Sequence, residues 1–302
     1  MVIYGGIDGT GILDLKKYAQ TCEDSFTRRI EKNWGPGGSY TRGPDYIGAA
    51  TLPLATLLAA KVAAQYPFAQ GVVLAGHSRG AAAAIHACGL LQLRGIDVDY
   101  LFLFDAVNMH YAVWTHIISS NVKFVYHARR DPRTGSRPDW GNCGCSVFSE
   151  NETTYFEKFF YATHSGLGGV PWQSYYRKVE GIHKPDDELI VEDGIKDGPL
   201  GSGEVHTKVT MRQDEGGSSQ VGSWMLPMVE LAHATLEQNG KPSLIVPGTP
   251  QPIIAPGTPA APESKYTVVP GDSLSVITGR FWGDILLWPL LYKRNADEIG
   301  SR

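Results

Sequence analysis

The amino-acid sequence predicts an α/β fold built on a mostly parallel β-sheet with helices on both faces. Two observations predict it. Apolar segments of strand length alternate with segments rich in helix formers, and those strands are apolar on both of their faces. The chain of 302 residues is long enough for one large domain and a second, small one. Its formal net charge of −4 argues against a nucleic-acid-binding protein.

The predicted elements follow one another along the first part of the chain. A short strand at Val2–Gly5 leads into a glycine-rich turn, and a helix at 49–65 leads to a buried strand at Gly71–Ala75. The next predicted elements are a helix at Ala81–Leu93 and strands at Val98–Phe104, Val122–Tyr126 and Tyr155–Tyr161. Residues 183–222 are polar and glycine-rich, which predicts a long excursion, either a lid or a plain surface loop. The segment Val221–Leu236 predicts a closing amphipathic helix.

The sequence also predicts how the chain divides into domains: a body at residues 1–240, a linker at 241–265 and a small module at 266–302. The linker is rich in proline and contains Pro-Gly-Thr-Pro twice, a composition typical of an extended spacer. No apolar run is long enough to span a membrane, and the N-terminus lacks the pattern of a signal peptide. We therefore expect synthesis in the cytoplasm, with any export by a signal-independent route. The cysteines show no metal-ligand spacing, so we expect reduced thiols, no metal site and no cofactor.

The segment Gly76–Gly80 matches the pattern Gly-x-Ser-x-Gly between a predicted buried strand and a predicted helix. A serine in such a tight turn projects its hydroxyl above the sheet, and the flanking glycines leave room for neighbouring backbone. This context predicts that Ser78 is a nucleophile and that the N–H of Arg79 stabilises an oxyanion. A second oxyanion N–H is expected from Asp8 or Gly9 in the first glycine-rich turn. The Asp8 carboxylate is expected to hold that turn through local hydrogen bonds.

A serine nucleophile requires a histidine base, which follows it in the chain in this type of fold. His164 is the favoured base because it lies in a glycine-rich loop directly after a predicted late strand. His77 lies inside the turn itself and is interpreted as a packing residue. The other histidines lie in segments without such a loop.

The base in turn requires a carboxylate to orient it, and two aspartates compete for this role. Asp105 is favoured because it directly ends a buried strand, although it also fits the position of a helix cap. Asp131 follows the next strand along the chain. Its alternative interpretation is a salt bridge with Arg129 or Arg130 at a turn.

Four segments together resemble a known family. The segments Gly6–Gly11, Gly76–Ala81, Leu103–Val107 and Thr163–Gly169 are similar, in the same order, to motifs of the Tle-type phospholipase effectors of bacterial type VI secretion systems. The resemblance covers most of residues 1–240. Two positions depart from the family pattern, since Gly166 stands where the family has aspartate and Ala106 where it has threonine.

This resemblance implies an α/β-hydrolase whose triad is Ser78, Asp105 and His164, so that Asp105 is preferred over Asp131. It implies cleavage of acyl esters of glycerophospholipids, in the periplasm or membrane of a target cell. It also implies an immunity protein and a component of the secretion apparatus as partners.

The C-terminal segment Tyr266–Asn295 resembles a LysM module, a small βα module that binds peptidoglycan and related glycans, here in a truncated form. The leading hypothesis is therefore a serine esterase of the lipase type, acting as a secreted phospholipase. One alternative is a peptidoglycan-binding adaptor whose hydrolase body is inactive. The other is an esterase that acts on a glycan or a polyester.

Overall fold

The computed structural model describes residues 1–11, 14–34, 39–44, 48–108, 110, 112–195 and 202–239. The predicted linker at 241–265 and the predicted LysM-like module at 266–302 lie outside these residues, so both stay predictions. Within the described ranges, no helix is long and apolar enough to cross a membrane. The same ranges contain no group of three or more histidine, cysteine, aspartate or glutamate side chains placed to hold a metal ion.

A six-stranded parallel sheet forms the centre of the described body. Its strands are β1 (Val2–Ile7), β2 (Ser39–Thr41), β3 (Gly71–His77), β4 (Val98–Phe104), β5 (Val122–Arg130) and β6 (Thr154–Phe160). They lie in the order β2-β1-β3-β4-β5-β6, and every neighbouring pair is parallel. All residues of β1, β3 and β4 are buried. Because the strands are parallel, their carboxyl ends share one edge of the sheet, where chemistry is expected in such folds.

Helices cover both faces of this sheet. They are α1 (Leu15–Thr21), α2 (Phe26–Trp34), α3 (Thr51–Gln65), α4 (Arg79–Gln92), α5 (His164–Leu167), α6 (Trp172–Tyr175) and α7 (Met211–Asn239). Val72 and Leu74 of β3 pack in a core cluster with α3 and α4, whereas Val73 and Ala75 pack in a second cluster with α2 and α7. Alternate strand residues point to opposite faces, so the two helix pairs lie on opposite sides. The prediction of an α/β-hydrolase-like fold with helices on both faces is confirmed.

The polar segment at 183–222 differs from its prediction. Strands β7 (Leu189–Ile195) and β8 (Ser202–Thr210) form an antiparallel hairpin within it, and α7 begins at Met211 instead of Val221. Three of the glycines that indicated a loop, Gly216, Gly217 and Gly222, lie inside α7. A Cβ at Gly217 would lie 2.5 Å from the carbonyl oxygen of Tyr161, so glycine here allows the helix to approach the end of β6 closely.

Candidate active site

Ser78 occupies a tight turn between β3 and α4. Its backbone has φ 57° and ψ −130°, a conformation that residues other than glycine rarely adopt. Both flanking glycines are required sterically. A Cβ at Gly76 would lie 2.4 Å from the Cα of Ala81, and one at Gly80 would lie 2.2 Å from the carbonyl oxygen of Asp8. The sequence pattern therefore forms the turn that it predicted, with the Ser78 hydroxyl at the carboxyl edge of the sheet.

The structure brings Ser78, His164 and Asp105 together in one hydrogen-bonded chain. Nε2 of His164 lies 2.8 Å from Oγ of Ser78, and Nδ1 of His164 lies 2.6 Å from Oδ2 of Asp105. The three side chains come from the β3–α4 turn, the start of α5 and the end of β4, and all three are buried. This arrangement can move a proton from the hydroxyl to the imidazole while a carboxylate fixes the ring.

Asp105 and Asp131 have different surroundings in the folded chain. Asp131 caps the short 3₁₀ turn Pro132–Thr134 and accepts hydrogen bonds from the backbone N–H and the guanidinium of Arg133 within that turn. The prediction that Asp131 forms a salt bridge with Arg129 or Arg130 is therefore wrong, because its partner is Arg133. Asp105, not Asp131, contacts His164, and it does so from a backbone with φ 44°. The residues after Asp105 are not helical, so it does not cap a helix.

Arg130 is a buried cation beside this hydrogen-bonded chain, a position that no pattern in the sequence predicts. Its Nη1 lies 3.2 Å from Oδ2 of Asp105 and 3.3 Å from Nδ1 of His164, and its Nη2 donates to the carbonyl oxygen of Gly141. Burial opposes ionisation of Asp105, but the charge of Arg130 and the hydrogen bond to His164 outweigh it and lower the pKa of Asp105 to about 2. The carboxylate is thus charged throughout the neutral range.

The imidazole of His164 is held in its neutral form. Burial lowers the pKa of His164 to about 3, because the hydrogen bond and charge of Asp105 offset burial only in part, and His77 and Arg130 lower it further. A neutral imidazole that donates from Nδ1 to Asp105 presents an unprotonated Nε2 to Ser78, the form that a general base requires. The ring of Trp140 stands edge-on to this imidazole, with 5.2 Å between ring centroids.

The first glycine-rich turn lies against Ser78, as the oxyanion prediction requires. A Cβ at Gly9 would lie 3.0 Å from Cβ of Ser78. The N–H of Asp8 is already engaged, because it donates to the carbonyl oxygen of Thr41 at 3.1 Å. Of the two predicted alternatives, only Gly9 remains a candidate to act with Arg79, whose N–H begins α4 directly after Ser78.

The Asp8 carboxylate holds the turn through residues distant in sequence, which corrects the expectation of local hydrogen bonds. Oδ2 of Asp8 accepts from Oγ of Ser25 at 2.7 Å and from the hydroxyl of Tyr40 at 2.6 Å, and Oδ1 accepts from the hydroxyl of Thr27. Asp8 is buried, so these three donors compensate the loss of its hydration. They tie the turn to α2 and β2.

His77 contacts both the segment that carries His164 and the first glycine-rich turn. Its Nε2 lies 3.0 Å from the carbonyl oxygen of His164, and the two rings are 4.9 Å apart. A Cβ at Gly9 or at Gly168 would lie within 2.6 Å of the His77 ring, so the ring is packed between the two loops that flank Ser78. His77 therefore connects the base segment to the serine turn, although a single sequence offers no signal that distinguishes it from a core residue.

Comparison with known proteins gives matches only among solved structures; no protein-family model and no curated protein sequence matches this chain. The RedJ thioesterase of Streptomyces coelicolor is 11% identical with a TM-score of 0.33, covering 56% of this chain and 81% of that chain. The SrfTE thioesterase domain, which cyclises surfactin, is 15% identical with a TM-score of 0.31, covering 53% and 83%. A cutinase-like protein from Cryptococcus sp. is 15% identical with a TM-score of 0.28, covering 52% and 75%. Similarity at this level carries no information on substrate.

Proposed function

We propose that this protein is a serine hydrolase that cleaves acyl esters. The single observation that carries the proposal is the buried hydrogen-bonded chain from Asp105 through His164 to Ser78, with Ser78 in a strained turn at the end of a parallel strand. Ser, His and Asp side chains in this geometry are the machinery of acyl transfer.

In the proposed mechanism, Oγ of Ser78 attacks the carbonyl carbon of the ester while Nε2 of His164 takes the hydroxyl proton. Asp105 holds the imidazole by its Nδ1–H and stabilises the imidazolium that forms. The N–H groups of Arg79 and Gly9 stabilise the oxyanion. His164 then returns the proton to the leaving alcohol, and water releases the acyl group from Ser78 by the reverse sequence.

The first test is turnover of a p-nitrophenyl ester, together with covalent labelling by a fluorophosphonate. Ser78→Ala should abolish both while leaving the circular dichroism spectrum and the thermal unfolding midpoint close to wild type. Retained hydrolysis by purified Ser78→Ala would refute the assignment of the nucleophile. A wild-type protein that folds, does not react with the fluorophosphonate and sediments with peptidoglycan would favour the adaptor hypothesis.

The second test distinguishes the two candidate acids. Asp105→Asn should lower kcat by about 10³- to 10⁴-fold, because an amide at this position no longer holds the tautomer that His164 needs. Asp131→Asn is the matched control, since it removes a carboxylate that accepts its hydrogen bonds from Arg133, two residues along the chain. If Asp131→Asn is the inactive variant and Asp105→Asn is not, the acid is wrongly assigned.

For the substrate, we propose a glycerophospholipid and a role as a secreted antibacterial effector. What supports this is the resemblance of four segments that include Ser78, Asp105 and His164. Incubation with defined phospholipids and mass spectrometry of the released fatty acids tests it, with Ser78→Ala as the control. Hydrolysis of acetylated glycans or polyesters with intact phospholipids would favour the third hypothesis. For the effector role, wild type directed to the periplasm of a bacterial host should be toxic and Ser78→Ala should not.

A further inference from the structure

Asp214, near the start of α7, contacts the segment that carries His164. Its Oδ1 accepts hydrogen bonds from the backbone N–H of Thr163 at 2.7 Å and from the Thr163 hydroxyl at 2.8 Å. Its Oδ2 accepts from the backbone N–H of Trp172 at 2.9 Å. Asp214 is completely buried. One carboxylate therefore ties together both ends of the segment from 163 to 172.

The segment is shaped to receive this carboxylate. A Cβ at Gly166 would lie 2.3 Å from Oδ1 of Asp214, so any larger residue at 166 would displace it. The Thr163 hydroxyl, which donates to Asp214, also accepts from the backbone N–H of Gly166 at 3.1 Å and so caps α5. The orientation of the first turn of α5, where His164 lies, thus depends on Asp214 through Thr163.

A second buried carboxylate supports the same segment from β7. The backbone N–H of His164 donates to Oγ of Ser136 at 2.8 Å, and that hydroxyl donates to Oε2 of Glu192 at 2.8 Å. Oε1 of Glu192 lies 3.4 Å from Nε1 of Trp172. Trp172 therefore donates to Asp214 through its backbone and contacts Glu192 through its indole.

We propose that Asp214 is a positioning residue, which fixes the backbone of Thr163 so that the His164 imidazole stays within hydrogen-bond reach of both Ser78 and Asp105. The proposal rests on the proposed function of that triad. A carboxylate without water is costly to bury unless donors surround it, and here all three donors belong to the base segment or its far end. Asp214 has no contact with the reacting atoms and acts through the backbone alone.

Asp214→Asn tests this directly. An asparagine side chain has one acceptor oxygen and an NH₂ group, so it cannot accept from both Thr163 and Trp172. Its kcat should fall by about 10- to 100-fold with KM unchanged, because a displacement of the base of about 1 Å costs up to that much. Asp99→Asn is the matched control. Asp99 is a buried carboxylate at the amino-terminal end of the sheet that accepts from the backbone N–H of Val72 at 2.9 Å and from Nζ of Lys123 at 2.6 Å. It should lower stability and leave kcat at room temperature unchanged.

A double-mutant cycle gives a second measurement of the same contact. Gly166→Ala and Asp214→Ala each disturb the same contact, so their combination should lower kcat by less than the product of the two single effects. Multiplicative effects would contradict the proposal. So would equal kcat values for Asp214→Asn and Asp99→Asn.

The positioning role is also measurable without turnover. In a Ser78→Ala background, hydrogen exchange of the backbone amides from 163 to 170 should accelerate in Asp214→Asn and not in Asp99→Asn, and the downfield proton resonance of His164 Nδ1 should broaden or shift. If the wild type shows neither turnover nor labelling, the proposed function fails, while these exchange data still decide the role of Asp214. Unchanged exchange and an unchanged resonance in Asp214→Asn would overturn it.

Discussion

Replacing Arg130 by methionine should move the acid limb of the pH–rate profile to higher pH. Arg130 is a buried cation in direct contact with His164, with Nη1 3.3 Å from Nδ1. Protonated His164 cannot take a proton from Ser78, so activity is lost as the pH falls through the pKa of His164. Arg130 disfavours that protonated form by charge repulsion, and removing it raises the pKa of His164.

The size of the shift follows from the geometry. With roughly 5 Å between the two charge centres and an effective dielectric constant of about 20, the repulsion is about 3 kcal/mol. At about 1.36 kcal/mol per pKa unit this corresponds to roughly 2 units. Water that enters the space left by the guanidinium screens part of the change, so we expect an upward shift of about 1 to 2 pH units.

The assay is kcat/KM for a soluble p-nitrophenyl ester measured across the pH range in which the variant stays folded. Arg129→Met is the matched control, because Arg129 lies on the same strand and pairs with Glu157 at 2.7 Å, away from the triad. It changes the net charge equally and should leave the acid limb in place. Arg130→Lys, which keeps the charge, should shift the limb less than Arg130→Met. An unshifted limb in Arg130→Met, or the same shift in Arg129→Met, would refute the electrostatic argument.

Three further predictions concern stability. Gly80→Ala should give little folded protein, measured as soluble yield and circular dichroism, because its Cβ would lie 2.2 Å from the backbone oxygen of Asp8. Gly89→Ala on the same helix has open space around it and should raise the free energy of unfolding, measured by urea titration, by about 0.5–1 kcal/mol. Burial raises the pKa of Asp214 to about 6 against its hydrogen bonds, so the folded state binds this proton more tightly, and the contribution of Asp214 to stability should be lost as pH rises from about 4 to 6. The free energy of unfolding of wild type minus that of Asp214→Asn should therefore fall by about 3 kcal/mol over this range. Tyr40→Phe removes one donor from the buried Asp8 and should lower the free energy of unfolding by about 1–3 kcal/mol, together with a reduced kcat; an unchanged kcat would show that Asp8 does not position the oxyanion turn.

The sequence predicted the parts of the fold that local pattern determines. Strand β4 has the predicted bounds Val98–Phe104, and Ser78 lies in the predicted turn, because an apolar run and two glycines carry their own signal. The predicted start of α7 was wrong, because glycines in a polar segment indicate a loop. Their role becomes clear only from the close approach of α7 to Tyr161.

The partners of buried polar groups were not predictable in the same way. Asp8 reaches Tyr40 across 32 positions, and Asp214 reaches Thr163 across 51. Nothing in the local sequence identifies such pairs, because the contact exists only after the sheet and helices have assembled. The catalytic roles of Ser78, Asp105 and His164 stay predictions until the variants are measured.

The hydrogen bond between Thr163 and Asp214 has a consequence for the order in which the protein becomes competent during synthesis. A nascent chain has its serine, its acid and its histidine well before the ribosome has added Asp214 and the rest of α7. Until that helix docks, the first turn of α5 lacks its support, and local helices of four residues are not stable alone. The base segment therefore cannot have its full set of hydrogen bonds before residues 211–239 have been synthesised.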